Sequence, residues 1–288
     1  MYSWFLGDQQ DFKNDPEAML LGVKSLLPRW MNGIPDAQFM DIFYSATEAI
    51  ENFDQKKNIN PILCETGIGA STIAMAGAIA YTNRSDIKLF NWDINGRKQS
   101  EIRTVLSESL CTFSTFELAS QLLTITSDAK SSVCGIPVIG ELSKTVIFGC
   151  FDSLHVQEQI LEEIGLTIPF LTPDSIVYID DQFLNCKGEN IHLGNLARKK
   201  LGLEPIPAVE ENKFKSELSF GSSVRKLLES AFVVTIKESR LGTEQTEKLD
   251  SIFFAYYSQD RVRMREVGAE LSSSSRGRAI SFQIVRKK

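Results

Sequence analysis

The first strong structural signal in this chain is the stretch Pro61-Ile62-Leu63-Cys64-Glu65-Thr66-Gly67-Ile68-Gly69-Ala70-Ser71-Thr72. Residues 61–64 are an apolar run that predicts a buried strand, and residues 71–81 follow with the pattern of a helix. Between them, Gly67 and Gly69 permit a tight turn and let a ligand approach the backbone. The free amides at the N-terminus of a helix attract polar or anionic groups. The stretch therefore predicts a strand, a turn and a helix that together bind a ligand.

Strand and helix patterns continue to alternate after this turn. Such alternation is typical of a doubly wound α/β fold with a parallel sheet. The predicted strands cover residues 61–64, 88–92, 122–126, 145–150 and 175–179, with helices at 71–81, 96–106 and 156–164. Further along the chain, residues 232–236 are an apolar run, and residues 279–285 alternate between apolar and polar positions as a strand does.

The regions outside this alternation predict the domain organisation. Residues 1–58 contain helical patterns without a strand, with Pro16 opening one helix and Asp36 capping another. Residues 59–288 then form the α/β domain, with a polar, charge-rich insertion around 182–230. We expect the helical segment and the insertion to select the substrate. If the protein forms a homo-oligomer, the apolar helices of the first segment are the expected contact surface.

Composition narrows the class of protein. The 288 residues are 43% hydrophobic and 24% charged, as is usual for a globular chain, and the net charge of -6 gives no general attraction to nucleic acid or to anionic membranes. No apolar run approaches the roughly 20 residues of a membrane span, and the N-terminus lacks the basic start of a signal peptide. Five scattered cysteines without C-x-x-C spacing indicate reduced, mostly buried thiols. We expect a cytoplasmic protein whose partner is a small molecule.

Acidic residues at strand ends suggest what the ligand is. Asp93 ends the second strand, where a carboxylate can accept both hydroxyls of a ribose, and Asp128 after the third strand can contact an adenine amino group. Glu65 beside the glycines suits a ligand that carries an ammonium group as well as a carboxylate. Thr72 stands where a dinucleotide fingerprint has a small residue, which disfavours a nicotinamide cofactor. For either strand-end acid, a solvated position without a ligand is the alternative.

A second group of acids follows the fourth and fifth strands. Asp152 and His155 form a D-x-x-H pattern, and Asp180 and Asp181 are adjacent in sequence. Neighbouring parallel strands end at the same edge, so these side chains can converge there. Oxygen ligands favour Mg²⁺, Ca²⁺ or Mn²⁺. The alternative is that Asp152 and His155 start the next helix while the acidic pair is a solvated strand end.

Together these motifs resemble a known family. The series E-T-G-x-G, an acid ending the second strand and S-D-A after the third is similar to the class I S-adenosylmethionine-dependent methyltransferases, over residues 59–181. The D-x-x-H pattern and the acidic pair most resemble the metal-dependent macrocin and mycinamicin O-methyltransferases. The resemblance implies a Rossmann-like fold with a seven-stranded, mostly parallel sheet whose last strand, near 279–285, is antiparallel.

The resemblance also implies roles for individual residues. S-adenosylmethionine would lie along the glycine turn, with Asp93 at its ribose and Asp128 near its adenine; His155 would be the base that takes a proton from the acceptor hydroxyl. The other residues expected at the cofactor are Glu65, Thr66, Gly67, Gly69, Ser71 and Asp152, and the expected Mg²⁺ ligands are Asp152, Asp180 and Asp181. The implied reaction is O-methylation of a sugar or natural product. A non-catalytic S-adenosylmethionine-binding scaffold or sensor and a NAD-binding oxidoreductase are the alternatives.

Overall fold

The computed structural model describes residues 9–53, 60–84, 86–109, 123–125, 135–153, 157–180, 199, 204, 220–249 and 280–285. The helices are α1 (Gln9–Asn14), α2 (Pro16–Ser25), α3 (Asp36–Asn52), α4 (Ala70–Thr82), α5 (Gly96–Ser109), α6 (Val138–Glu141), α7 (Gln157–Thr167) and α8 (Phe220–Glu229). The strands are β1 (Asn60–Thr66), β2 (Lys88–Trp92), β3 (Leu123–Ile125), β4 (Lys144–Phe151), β5 (Leu171–Ile179), β6 (Val233–Lys237) and β7 (Ile280–Val285).

The strands form one seven-stranded sheet in the order β3-β2-β1-β4-β5-β7-β6. Strands β1 to β5 pair in parallel, and β7 lies antiparallel between β5 and β6. The predicted mostly parallel sheet with an antiparallel last strand is therefore confirmed. Because β1 lies between β2 and β4, the chain changes direction across the sheet at this strand. In open α/β sheets, ligands bind at the carboxyl ends of the strands beside such a switch point.

Apolar side chains on both faces of the sheet form two cores. One core contains the buried faces of α3 and α4, and the other contains residues of α7 and α8. Helix α4 is built from small residues that let it pack closely: a Cβ at Gly77 would meet the side chain of Leu20 at 2.5 Å. The free thiols of Cys64 and Cys150 are buried in different cores, and burial raises the pKa of both. The other three cysteines lie outside the described residues.

The N-terminal helices pack directly on the α/β domain. Helix α2 begins at Pro16, as predicted, and the side chain of Asp15 caps it by accepting a hydrogen bond from the Ala18 N–H at 3.0 Å. The predicted cap of α3 is wrong, because Pro35 is the N-cap and Asp36 is the first helical residue. The Asp36 carboxylate instead pairs with the buried ammonium group of Lys24 at 2.5 Å. Helix α3 packs against α4, β4 and β5.

Other predictions are tested over only part of their length. Helix α7 continues to Thr167, three residues beyond the predicted end at 164, and the predicted start at 156 lies outside the described residues. Within the predicted insertion the structure describes Lys199, Glu204 and α8. The boundary near residue 58 stays a prediction. Among the described helices, none combines the length and the apolar character that crossing a membrane requires.

Candidate binding site at the carboxyl edge of the sheet

Backbone hydrogen bonds join the ends of four neighbouring strands. The Gly67 N–H donates to the carbonyl of Trp92 at 2.9 Å, which connects the turn after β1 to the end of β2. On the other side, the Asp152 N–H donates to the Thr66 carbonyl at 2.9 Å. The Asp180 N–H donates to the Phe151 carbonyl at 3.3 Å, which adds the end of β5. The glycine turn and the acids predicted from the sequence therefore share one edge.

The glycine turn packs tightly against the end of β4. Gly67 has a φ of 85°, a left-handed conformation that favours glycine. A Cβ at this position would lie 1.8 Å from the carbonyl oxygen of Asp152, so no side chain fits there. A Cβ at Gly69 would lie 3.3 Å from the carbonyl oxygen of Met31, which belongs to the N-terminal segment. The turn is thus enclosed by β4 on one side and by the N-terminal segment near Gly69.

The side chain of Glu65 points into the protein. Its carboxylate is fully buried and accepts hydrogen bonds from the Ser71 hydroxyl, from the Thr72 hydroxyl at 2.6 Å and from the Asn91 amide at 2.5 Å. Burial raises the pKa of Glu65 to about 7, although the three hydrogen bonds oppose the shift. The sequence predicted that Glu65 and Ser71 contact a ligand. In the structure these two side chains bind each other beneath the turn.

The Thr66 side chain also has a partner inside the protein. Its hydroxyl donates to Oε2 of Glu163 on α7 at 2.8 Å, and the Gln159 amide donates to Oε1 of the same carboxylate at 2.9 Å. Glu163 is completely buried. Glu163 was not among the predicted site residues, although an acid on the apolar face of a helix is a recognisable signal. Of the residues predicted at the turn, Gly67 and Gly69 therefore offer only backbone to a ligand, and Thr66 uses its hydroxyl within the protein.

Asp93 is held beside the glycine turn by three donors. Its Oδ2 accepts from the Ile68 N–H at 3.0 Å and from the Lys98 ammonium group at 2.8 Å, while Oδ1 accepts from the Asn95 N–H at 2.7 Å. The next residue, Ile94, is 53% exposed, which leaves an apolar side chain uncovered beside the carboxylate. The site thus combines a carboxylate, backbone amides and an exposed apolar surface.

A second apolar group lies close to the start of α5. Trp30, in the 3-10 turn Arg29–Met31, is 41% exposed, and the guanidinium of Arg97 lies 5.5 Å from the centre of its ring. This distance is typical of a cation–π contact. The N-terminal segment therefore reaches α5 in the turn that follows Asp93.

Asp152 and Asp180 lie side by side on neighbouring strands. Phe151 and Ile179 are paired residues of β4 and β5, so the two acids are the next residues on each strand. Burial raises the pKa of the Cys150 thiol, and the negative charges of Asp152 and Asp180 raise it further, so both acids lie near this thiol. Asp180 is buried and accepts a hydrogen bond from the Gln38 amide of α3. Gln38 was not among the residues predicted for this site.

Three predicted residues, Asp128, His155 and Asp181, lie outside the described residues. Within the described part of the chain, no group of three or more histidine, cysteine or acidic side chains is arranged to hold a metal ion. The convergence of Asp152, Asp180 and Asp181 on Mg²⁺ therefore stays a prediction. The role of His155 and the contact of Asp128 with adenine stay predictions as well.

No family model matches the chain, and no curated protein does. Among solved structures, the chain is similar to the O-methyltransferase TomG from Streptomyces achromogenes in complex with SAM, with 12% identity, 93% of this chain and 89% of that chain covered, and a TM-score of 0.46. Cofactor-bound Rv0187 from MTB has 13% identity, 95% and 91% coverage and a TM-score of 0.48. CalS11, a TDP-rhamnose 3'-O-methyltransferase of calicheamicin biosynthesis, has 20% identity, 69% and 84% coverage and a TM-score of 0.42. At these values the likeness carries no conclusion about activity.

Proposed function

We propose that this protein is an S-adenosylmethionine-dependent methyltransferase that methylates a hydroxyl group of a small molecule, such as a sugar or another natural product. The observation that carries the proposal is the hydrogen bond of 3.0 Å between the Ile68 N–H and Asp93 Oδ2. It joins a glycine turn after β1 to an acid after β2, beside the strand where the sheet order reverses. Backbone donors and a carboxylate in that position suit a ligand with an amino-acid part and a ribose.

The residues at this edge fit the proposed cofactor. The backbone around Gly67 and Gly69 would lie along its methionine part, and Asp93 would accept its ribose hydroxyls. Asp93 Oδ1 accepts a hydrogen bond from the Asn95 N–H, and a carboxylate oxygen has room for a second donor. The exposed side chain of Ile94 offers an apolar surface to a base, with Asp128 as the proposed contact to adenine. Because Glu65 is buried, we assign it to holding the turn in shape.

When bound, the cofactor supplies a methyl group on a positively charged sulfur. The acceptor oxygen would form its bond to the methyl carbon as the carbon–sulfur bond breaks, and the electron pair of that bond stays on sulfur. The hydroxyl proton would pass to an imidazole nitrogen of His155, whose ordinary pKa suits a base near neutral pH. The protein would also hold the two reactants in line. Their alignment removes a large part of the activation barrier of such a reaction.

A divalent cation is part of the proposal. Asp152 and Asp180 present two carboxylates next to each other, and Asp181 would add a third. Carboxylate oxygens are the ligands that Mg²⁺ prefers, and a cation would offset the repulsion between neighbouring acids. Bound there, Mg²⁺ would polarise the acceptor hydroxyl and lower its pKa. Asp180 would also keep its contact with Gln38, since a carboxylate has several acceptor positions.

Calorimetric titration with S-adenosylhomocysteine tests the proposal. We expect binding to the wild type, and a loss of about 100-fold in affinity in Asp93→Ala, because two hydrogen bonds to a charged acceptor are removed. Asp86→Ala is the matched control, since this acid pairs with Arg84 on the surface. A separate heat of Mg²⁺ binding that disappears in Asp152→Asn would support the cation site. Absence of S-adenosylhomocysteine binding would refute the proposed function.

Two further readouts separate the alternatives. An oxidoreductase would bind NADH in competition with S-adenosylhomocysteine, so the same titration is repeated with NADH. A non-catalytic scaffold would bind the cofactor without releasing S-adenosylhomocysteine from S-adenosylmethionine in the presence of any acceptor. We expect His155→Ala to abolish that release while leaving cofactor affinity unchanged. Unchanged release in His155→Ala would remove His155 from the mechanism.

A further inference from the structure

The first turns of α3 bring two polar side chains to the same region of the sheet edge. Gln38 is only 3% exposed and donates from Nε2 to Oδ1 of Asp180. Asp41 follows three residues later and interacts with the side chains of Tyr178 and Ser239 and with the backbone of Arg240. Residues three apart on a helix share a face. Gln38 and Asp41 therefore both lie on the side of α3 that meets the ends of β5 and β6.

Each of these side chains has a buried oxygen without a hydrogen-bond partner. Neither Oε1 of Gln38 nor Oδ1 of Asp41 accepts a hydrogen bond in the part of the chain that the structure describes. The Gln38 amide cannot simply be reversed, because the carboxylate of Asp180 needs a donor and Nε2 provides it. A buried acceptor without a donor costs about 1–3 kcal/mol, and proteins retain few of them. Two such oxygens on one helix face indicate that this site is completed by donors other than the residues that the structure describes.

The charges near these oxygens favour neutral donors. Asp41 lies close to Lys237, and Glu48 binds both Lys237 at 2.7 Å and Arg240 at 2.8 Å. Two acids thus face two bases at the end of β6, and the remaining acid beside Gln38, Asp180, is the one that accepts the hydrogen bond from its Nε2. The Gln38 oxygen is itself neutral. Hydroxyl groups meet this requirement, since each donates one hydrogen bond without carrying a charge.

We propose that Gln38 and Asp41 are specificity-determining residues that recognise the methyl acceptor by accepting hydrogen bonds from two of its hydroxyl groups. Gln38 also links this recognition to Asp180, because its amide contacts the acceptor through Oε1 and the carboxylate through Nε2. This inference rests on the proposed function, because only a methyltransferase has a methyl acceptor. The binding of a molecule with several hydroxyl groups at α3 can nevertheless be measured without any methyl transfer.

The test compares two probes, methyl α-D-glucopyranoside, which has several hydroxyl groups, and cyclohexanol, which has one. Binding is measured by calorimetry with and without S-adenosylhomocysteine. We expect the glucoside to bind more tightly than cyclohexanol, and its affinity to fall about fivefold to tenfold in Gln38→Met, as expected for one lost hydrogen bond. Thr47→Val is the matched control, because Thr47 on the same helix also has a buried hydroxyl without a partner among the described residues but lies nine residues further from the edge.

A second measurement does not depend on a variant. In the wild type, the side-chain amide resonances of Gln38 should shift on addition of the glucoside and stay in place with cyclohexanol. Failure of the glucoside to bind, equal binding in Gln38→Met, or an equal loss in Thr47→Val would overturn the inference. Loss of S-adenosylhomocysteine binding with retained glucoside binding would instead refute the methyltransferase proposal alone. The two proposals therefore fail through different measurements.

Discussion

The ammonium group of Lys98 lies 2.8 Å from Oδ2 of Asp93, the same oxygen that accepts the Ile68 N–H at 3.0 Å. Both acceptor positions of Oδ2 are therefore occupied, whereas Oδ1 accepts from the Asn95 N–H at 2.7 Å and has room for another donor. A ribose that uses both oxygens of Asp93 must displace one of these donors. Lys98 is the one that can move, because its side chain is flexible and the Ile68 amide is part of the backbone.

From this relationship we predict that Lys98→Met increases the affinity for S-adenosylhomocysteine by about threefold to tenfold, since a competing donor worth about 1 kcal/mol is removed. The gain should shrink at high salt, which already weakens the Lys98–Asp93 ion pair. Calorimetry at two salt concentrations measures both effects, with Lys88→Met on the exposed start of β2 as the control. A loss of affinity in Lys98→Met would mean that Lys98 orients Asp93 for the ribose.

The buried carboxylate of Glu65 predicts a pH dependence of stability. Its pKa is about 7 in the folded protein against 4.5 in the unfolded chain, so the folded state holds the proton more tightly. Stability contributed by this group is complete below pH 4.5 and is lost as the pH rises towards 7, a change of about 3 kcal/mol. Glu65→Gln should remove this slope from urea unfolding curves, whereas Glu141→Gln on the surface should keep it. A slope that persists in Glu65→Gln would assign it to another group.

We expect Gly67→Ala to destabilise the protein severely. The new Cβ would lie 1.8 Å from the carbonyl oxygen of Asp152, and the φ of 85° disfavours any residue with a side chain. The free energy of unfolding should fall by more than about 3 kcal/mol, measured by urea or thermal unfolding. Gly96→Ala at the start of α5 is the control, because no described atom would lie within 4 Å of the added Cβ. Equal stability of the two variants would contradict the close contact between the turn and β4.

From the ion pair between Lys24 and Asp36 we predict that the stability of the N-terminal helices depends strongly on one buried charge. The Lys24 ammonium group donates to Asp36 at 2.5 Å and to the Ile34 carbonyl at 2.7 Å, and it lies 5.4 Å from the centre of the Phe39 ring. Lys24→Met should cost about 3–5 kcal/mol, because it leaves the Asp36 carboxylate without its partner. Adding Asp36→Asn should recover part of that loss.

Urea unfolding of the two single variants and of the double variant measures this coupling. Arg225→Met provides a surface comparison, since the Arg225–Glu229 pair has a similar distance of 2.7 Å but is exposed on both sides. We expect it to cost less than about 1 kcal/mol. Simple addition of the Lys24 and Asp36 effects would show that the two groups do not interact.

The repeating pattern of the sequence was sufficient to locate most strands of the sheet. Six of the seven strands lie at predicted positions, because a buried parallel strand is a short apolar run and the helix after it has a different period. The exception is β6, which covers most of the apolar run at 232–236. The same local information predicted that Gly67, Asp93, Asp152 and Asp180 share the carboxyl edge, since each directly follows a strand. It did not predict the cap of α3, where Pro35 stands and Asp36 turns to Lys24.

Local sequence patterns thus identified the residues that reach the edge, whereas long-range packing set which of their side chains face it. Glu65 follows the apolar run of β1 in the same way as Asp93 follows β2, yet donors from α4 and β2 enclose Glu65 inside the protein. Gln38 contacts Asp180 across 142 residues of sequence, a separation over which no periodic pattern carries information. Periodicity reports the local burial of a backbone segment, whereas the direction and partners of a polar side chain depend on how distant segments pack.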